Sequence, residues 1–336
     1  MPKFLIIRLS SIGDIIQCMG IVGGIRQHYP SAEIHWIARA DMAETLSIDQ
    51  RIDKVWSFDK GEGLKGLLSL CRTLKAERYD YIYDAHNNIR STIIKLKLRS
   101  LFGHRPQIVT RSKDRLKRIL LFKFGINRFE WPFIGVDSFR KPLRKWGINQ
   151  FDDSYSDYRF TEAISSKFKD LVGAMCITLI PSANWEMKRW PVSHWRSLLE
   201  LLPEYNFVVL GGPSDTFCAE ICNAAPERAI NMAGRSSIME SSYIVSQSKV
   251  VVSGDTGFLH SADLFGVPAL ALMGPTAFGF PARPTSEIFA LDMKCRPCTK
   301  DGRGGCKDSL YQRCMVEITP QMVAQRVRLL LPVGKL

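Results

Sequence analysis

No segment of this chain approaches the roughly 18 to 20 uninterrupted apolar residues that a membrane-spanning helix requires. The opening Met1-Pro2-Lys3-Phe4-Leu5-Ile6-Ile7 meets Arg8 and then Asp14 too soon to read as a signal peptide. The expectation is a protein that stays in the cytoplasm. Acids are scarce over one long stretch: between Arg90 and Arg128 only Asp114 stands against twelve Lys and Arg residues. Little suggests disorder, since 46% of the residues are hydrophobic and 24% charged. Nine cysteines, an odd number without a secretion signal, argue for reduced thiols rather than a disulfide framework.

What is present in excess is positive charge, unevenly placed. Residues 1–150 hold 27 of the 46 Lys and Arg and 14 of the 33 Asp and Glu, so the whole formal excess of +13 lies there and the remainder is neutral. Apolar residues, Leu96, Leu101, Phe102, Leu116, Ile119 and Phe124 among them, are interleaved with the basic ones. A basic amphipathic surface of this kind suits an anionic membrane, and a solvated basic face over ordinary core residues is the competing reading. Nucleic acid is the other acidic partner to weigh, but the chain lacks a familiar single-strand stacking motif.

At 336 residues the chain is long for one core, and two domains are expected. Phe4–Arg8 reads as a strand, followed by a Ser-Ser-Ile-Gly-Asp turn and a helix from Ile15 to about His28. Further strands are expected at Glu33–Ala38, Lys54–Phe58 and Tyr79–Asp84. A polar stretch from Asn149 to Asp157 reads as a linker. Beyond it come strands at Met175–Ile180, Phe207–Leu210, Lys249–Ser253 and Pro268–Met273, a helix near Ser193–Leu202, and a last helix from Pro320 to about Leu331. Strands alternating with helices predict an α/β fold with parallel sheets, in which ligands bind at the carboxyl ends of the strands.

Three strand-end segments offer chemistry. Asp14 opens the first helix, where an acid suits the helix dipole and a carboxylate could also serve as a general base. Ser182 to Pro191 places Lys188 after a strand, a compact cation for a diphosphate oxygen, and a surface Lys-Arg pair beside buried tryptophans is the competing reading. Asp255-Thr256-Gly257 with His260 combines a Gly-containing turn with a helix start, fit for a phosphate or for simple capping.

These residues carry a resemblance. Ile7-Arg8-Leu9-Ser10-Ser11-Ile12-Gly13-Asp14-Ile15, Lys188-Arg189-Trp190-Pro191, Asp255-Thr256-Gly257-Phe258-Leu259-His260 and Ala269 to Thr276 are similar, in order and spacing, to glycosyltransferase family 9, the ADP-heptose:lipopolysaccharide heptosyltransferases. The likeness runs from residue 4 to about residue 325. It implies a GT-B fold, two Rossmann-like domains facing each other across a cleft. Residues 1–155 would bind the acceptor, 156–319 the nucleotide sugar, and 320–336 form a closing helix. It implies an inverting, metal-independent heptosyl transfer from ADP-heptose to the lipopolysaccharide inner core, with no cofactor. Asp14 would be the base and Ser10 and Ser11 acceptor contacts. Gly13, Ser182, Asn184, Lys188, Asp215, Asp255, Thr256, Gly257 and His260 would hold the donor. The partners implied are a nucleotide sugar, an acidic glycolipid of the Kdo-lipid A type and the inner face of the cytoplasmic membrane, to which the protein would attach peripherally; nucleic acid is not among them. Ala183 and Asn184 stand where some members carry threonines, and Asp215 is a looser match.

Cys295, Cys298, Cys306 and Cys314 include one CxxC pair and could hold a structural zinc ion, but their other spacings are irregular, which places reduced thiols ahead. Other classes stay open: a family member using another nucleotide sugar, a nucleotide-sugar epimerase on the same fold, or a nucleic-acid-binding protein.

Overall fold

The computed structural model describes residues 1–99, 104–151, 158–174 and 177–332. Leu101 and Phe102, positions 152–157 of the expected linker, positions 175–176 of the expected strand and the last positions of 320–336 lie outside them. The chain forms two compact units, Met1–Asp114 with Val136–Arg159, and Arg115–Gly135 with Phe160–Leu336.

The first unit is built on five parallel strands: β1 Lys3–Ile7, β2 Glu33–Arg39, β3 Lys54–Phe58, β4 Tyr81–Asp84 and β5 Gln107–Thr110, in the order β3-β2-β1-β4-β5. Central β1 is covered on both faces, which is why Phe4-Leu5-Ile6-Ile7 is a continuous apolar run rather than an alternating one. The helix expected from Ile15 to His28 starts at Ile12 and is two, Ile12–Met19 and Val22–His28. At Gly20 and Ile21 the backbone N–H groups turn back to Gln17 and Cys18, a tighter three-residue turn that breaks the helix.

Asp84 at the end of β4 is fully buried and saturated with donors. Its carboxylate accepts from the backbone N–H groups of His86 (3.1 Å) and Asn87 (2.7 Å) and from Ser91 Oγ (3.0 Å), and it pairs with Lys95 Nζ at 2.7 Å. It thereby fixes the loop that leads into the helix Ile89–Leu98.

The second unit holds six parallel strands: β6 Ile177–Ile180, β7 Phe207–Val209, β8 Ala229–Asn231, β9 Val250–Gly254, β10 Ala269–Leu272 and β11 Ser286–Phe289, ordered β11-β10-β9-β6-β7-β8. The helix Pro320–Leu330 belongs to this unit. Val323, Ala324 and Val327 share one core with Trp195 and Leu198 of the helix Val192–Leu201, and Trp190 Nε1 donates to the Ile318 carbonyl at 2.7 Å.

The segment Arg115–Gly135 precedes the boundary expected near residue 155 yet groups with the second unit. The reason is aromatic packing. Phe122, Phe129 and Phe133 meet Phe278 edge to face at centroid distances of 5.9, 5.2 and 4.9 Å, Trp131 meets Phe280 at 5.1 Å, and Ile134 bridges to Phe280. The basic stretch Arg90–Arg128 is therefore divided between the units, and its placement wholly on the first one is corrected. No helix among the described residues is long and apolar enough to cross a membrane.

Removing the Asp84 carboxylate leaves the half-buried Lys95 without its ion pair and takes an acceptor from three donors. Asp84→Ala is expected to cost about 3 kcal/mol of stability, read as a lower urea midpoint; an unchanged midpoint would contradict the role given to this residue.

Candidate active site

In the first unit the strand ends gather charge. Asp14 lies in the first turn of the helix Ile12–Met19, whose preceding residue Ser11 donates its hydroxyl to Asp14 Oδ2 at 2.9 Å instead of capping the helix backbone. Arg8, which follows β1, pairs with the same Oδ2 through Nη2. Arg8 is itself buried, donating from Nη1 to the Ala85 carbonyl at 2.9 Å. Arg111, just past β5, sits over the Phe139 ring with its guanidinium carbon 3.8 Å from the centroid and donates to Ser138 Oγ at 2.6 Å. Arg8 Nη2 and the Ser11 hydroxyl both meet Oδ2 of Asp14, whose side chain retains 37% exposure.

The electrostatics follow. Burial alone would raise the Asp14 pKa, but Arg8, Arg111 and the Ser11 hydrogen bond outweigh it and hold the carboxyl below the usual range. His86, after β4, is pushed down to about 4 by burial and by Arg8 and Lys113, so its imidazole is neutral at neutral pH. Its Nδ1 is buried and has no hydrogen-bond partner among the described residues. Chemically, this corner presents an ionised carboxylate with one oxygen held and cations behind it. Ser10 is half-buried and Gly13 occupies the helix start beside Asp14.

In the second unit the loops after β6, β7, β9 and β10 converge. Lys188 Nζ pairs with Asp255 Oδ2 at 2.9 Å, and Thr276 donates to the same oxygen at 2.8 Å. Two glycines press on this pair. A Cβ at Gly279 would lie 2.1 Å from Asp255 Oδ1, and one at Gly302 would lie 2.7 Å from Cγ of Lys188, so only glycine fits either place without rearrangement. Arg189 reaches Asp215 at 3.6 Å and donates to the Ala183 carbonyl at 2.9 Å. Asp215 also accepts from the Gly212 N–H at 2.7 Å, closing the turn after β7.

The other expected donor residues are placed as follows. Ser182 borders Gly211 and Cys218, while Asn184 is exposed at the outer part of its loop. Thr256 is the N-cap of the helix Gly257–Phe265, its Oγ1 accepting from the Leu259 N–H at 3.4 Å, and Gly257 is the first helical residue. His260 is buried in that helix. The structure thus joins Lys188, Asp255 and Thr276 directly, and Arg189 with Asp215; it gives Thr256 a capping role as well.

Sequence reasoning missed Arg8, Arg111, Arg189 and Thr276 as site residues. Arg111 follows the β-branched Ile108-Val109-Thr110, which is too short and too closely set among basic residues to mark a strand end in the sequence. Cys295, Cys298 and Cys306 are half-buried free thiols and Cys314 a buried one. Among the described residues, the group of His, Cys, Asp and Glu ligand atoms within 4.8 Å of one another is Glu33, His35 and Glu77, not the four cysteines. Those three lie away from the strand ends that carry Asp14, and Lys3 and Lys54 already neutralise Glu33 and Glu77.

Comparison with known proteins gives this geometry a context. The sequence profile described as glycosyltransferase family 9 (heptosyltransferase) matches residues 67–305. The lipopolysaccharide core heptosyltransferase OpsX of Haemophilus influenzae is 26% identical over 298 residues, covering 81% of this chain and 79% of that protein. Of solved structures, the ADP-heptose lps heptosyltransferase II of E. coli superimposes with a TM-score of 0.73 at 21% identity, covering 98% of both chains. The E. coli heptosyltransferase WaaC with ADP gives 0.67 at 17% identity, covering 98% of this chain and 99% of that one. The two parallel-sheet units are the Rossmann-like halves of the GT-B fold. On the span of the family match and the course of these sheets, the chain belongs to glycosyltransferase family 9, the heptosyltransferases, and is a glycosyltransferase.

Proposed function

We propose that this enzyme transfers heptose from ADP-heptose to an acidic sugar of the lipopolysaccharide inner core, with inversion at the anomeric carbon. Every relative named above is a heptosyltransferase, one solved with ADP, and this supports the donor class. The observation that carries the mechanism is the Asp14 carboxylate, oriented by Arg8 and Ser11 on Oδ2 and still partly exposed to receive an acceptor hydroxyl. As that hydroxyl oxygen forms its bond to the anomeric carbon, its proton passes to Asp14 and the bond to the ADP oxygen breaks. Lys188, Arg189 and the N–H groups opening the helix Gly257–Phe265 take up the charge that develops on ADP, which assigns that task to the protein rather than to a metal ion. Asp255 holds the Lys188 ammonium in place until the diphosphate arrives.

The pairing of Asp14 with arginine has a cost and a benefit. A carboxylate with a depressed pKa is a weaker base, but it is ionised at every physiological pH and is fixed in orientation. The depressed folded-state pKa also means that its contribution to stability is complete above the unfolded value of about 3.9 and is lost as pH falls through the folded value.

Two outcomes are expected. Asp14→Asn should lower turnover by about a thousandfold, scored as mass gain of a Kdo₂-lipid A acceptor across a panel of nucleotide sugars, while ADP binding by calorimetry persists; near-normal turnover would remove Asp14 from the mechanism. Arg111→Gln removes one of the groups that depress the Asp14 pKa, so the acid limb of kcat/KM should move to higher pH. An acid limb that stays in place would show that Arg111 does not act on the base.

A further inference from the structure

The segment from Arg115 to Trp131 presents a surface that the transfer chemistry does not use. In the helix Arg115–Phe124, Leu121 is buried, and Phe122 and Arg118 are turned to Phe278. The opposite arc carries Leu116 (70% exposed), Ile119 (46%) and Phe124 (66%) beside the exposed Arg115, Lys117 and Lys123. The following loop adds Ile126 (44%) and Trp131 (47%) with exposed Arg128. The helix contains no acid.

Single exposed apolar side chains are ordinary, but five large ones on one short segment, interleaved with cations, are not. A cavity of about 630 Å³ adjoins them, walled by Lys123, Trp131, Phe280, Lys294 and Lys307, with Asp292 the one acid among its lining residues. Apolar side chains and an aromatic indole among positive charges match the boundary between acyl chains and anionic headgroups. A folded core would have buried the apolar residues, and a purely solvated face would not carry them.

We propose that this surface is an interfacial anchor that docks on an anionic phospholipid bilayer. Leu116, Ile119, Phe124, Ile126 and Trp131 enter the headgroup boundary while Lys117 and Lys123 meet lipid phosphates. The anchor belongs to the unit that carries Lys188 and Asp255, because Phe122, Phe129 and Phe133 fix its inner face on Phe278. The docking stands apart from the chemistry; only its role in presenting a lipid-linked acceptor rests on the preceding functional reading.

Flotation of the full-length protein with vesicles tests it, with neither donor nor acceptor present. The vesicles are phosphatidylcholine alone, or phosphatidylcholine with phosphatidylglycerol. Flotation with the anionic vesicles only is expected, reduced about tenfold by Leu116→Ser with Phe124→Ser, and similarly by Lys117→Gln with Lys123→Gln. Equal flotation with neutral vesicles, or unchanged flotation of either double variant, overturns the proposal. So does a loss of duplex DNA binding or of self-association in the variants while vesicle binding stays intact. Should a double variant fail to fold, the emission difference between wild type and Trp131→Phe keeps the test: a blue shift on adding anionic vesicles is expected, and no shift refutes the anchor. Finally, the apolar double variant should lose transfer onto vesicle-embedded acceptor but keep it onto a deacylated, soluble acceptor; equal loss on both overturns the anchor's role. If the wild type transfers to neither, the functional reading fails while the flotation result stands.

Discussion

Parallel strand pairing is the constraint on which the rest of this molecule depends. A parallel neighbour can be reached only by a crossover, so each strand is followed by a loop and, in most cases, a helix before the chain returns. With β1 held between β2 and β4, and β9 between β10 and β6, the carboxyl ends of the strands in each sheet lie along one edge. Residues far apart in sequence are thereby brought together. Arg8, Asp14 and Arg111 meet at one sheet edge; Lys188, Asp255 and Thr276 meet at the other.

Within those edges the charged groups are arranged in opposed pairs. Asp14 faces Arg8, Lys188 faces Asp255, Arg189 faces Asp215, and Asp84 is saturated by Lys95 and three hydrogen bonds. A charge withdrawn from water needs such compensation, and the compensation also sets direction. It leaves one oxygen of Asp14 committed and holds the Lys188 ammonium at a defined point beside Gly279 and Gly302, whose missing side chains make room for the pair. Preparation of the site is thus largely electrostatic and occurs as the units fold.

Much of this was legible in the sequence because its central strands are buried on both sides. Phe4 to Ile7, Val250 to Val252 and Leu270 to Leu272 must be apolar throughout, and each is followed by turn residues. The edges were harder. β11 is half-buried along its whole length and β5 is short and set among cations, so neither has a run that distinguishes it from a loop. Asp14, Lys188 and Asp255 could be singled out because they adjoin readable strands. Arg111 and Thr276 could not, since their roles come from partners 97 and 21 positions away, Asp14 and Asp255. The grouping of Arg115–Gly135 with the second unit left no mark in composition at all, because it is decided by the ring of Phe278.

That last arrangement bears on how the protein is made. Phe122, Phe129 and Phe133 leave the ribosome long before Phe278, against which they pack. The first sheet has all its strands once β5 has emerged, yet this aromatic loop must wait, uncovered, until most of the second unit has been synthesised. Neither unit can be separated by a single cut in the gene, and a fragment ending at the apparent linker would carry an orphaned aromatic loop. In this chain the order of synthesis and the order of completion differ, and the nascent protein passes through a stage in which its stickiest segment has no place to go.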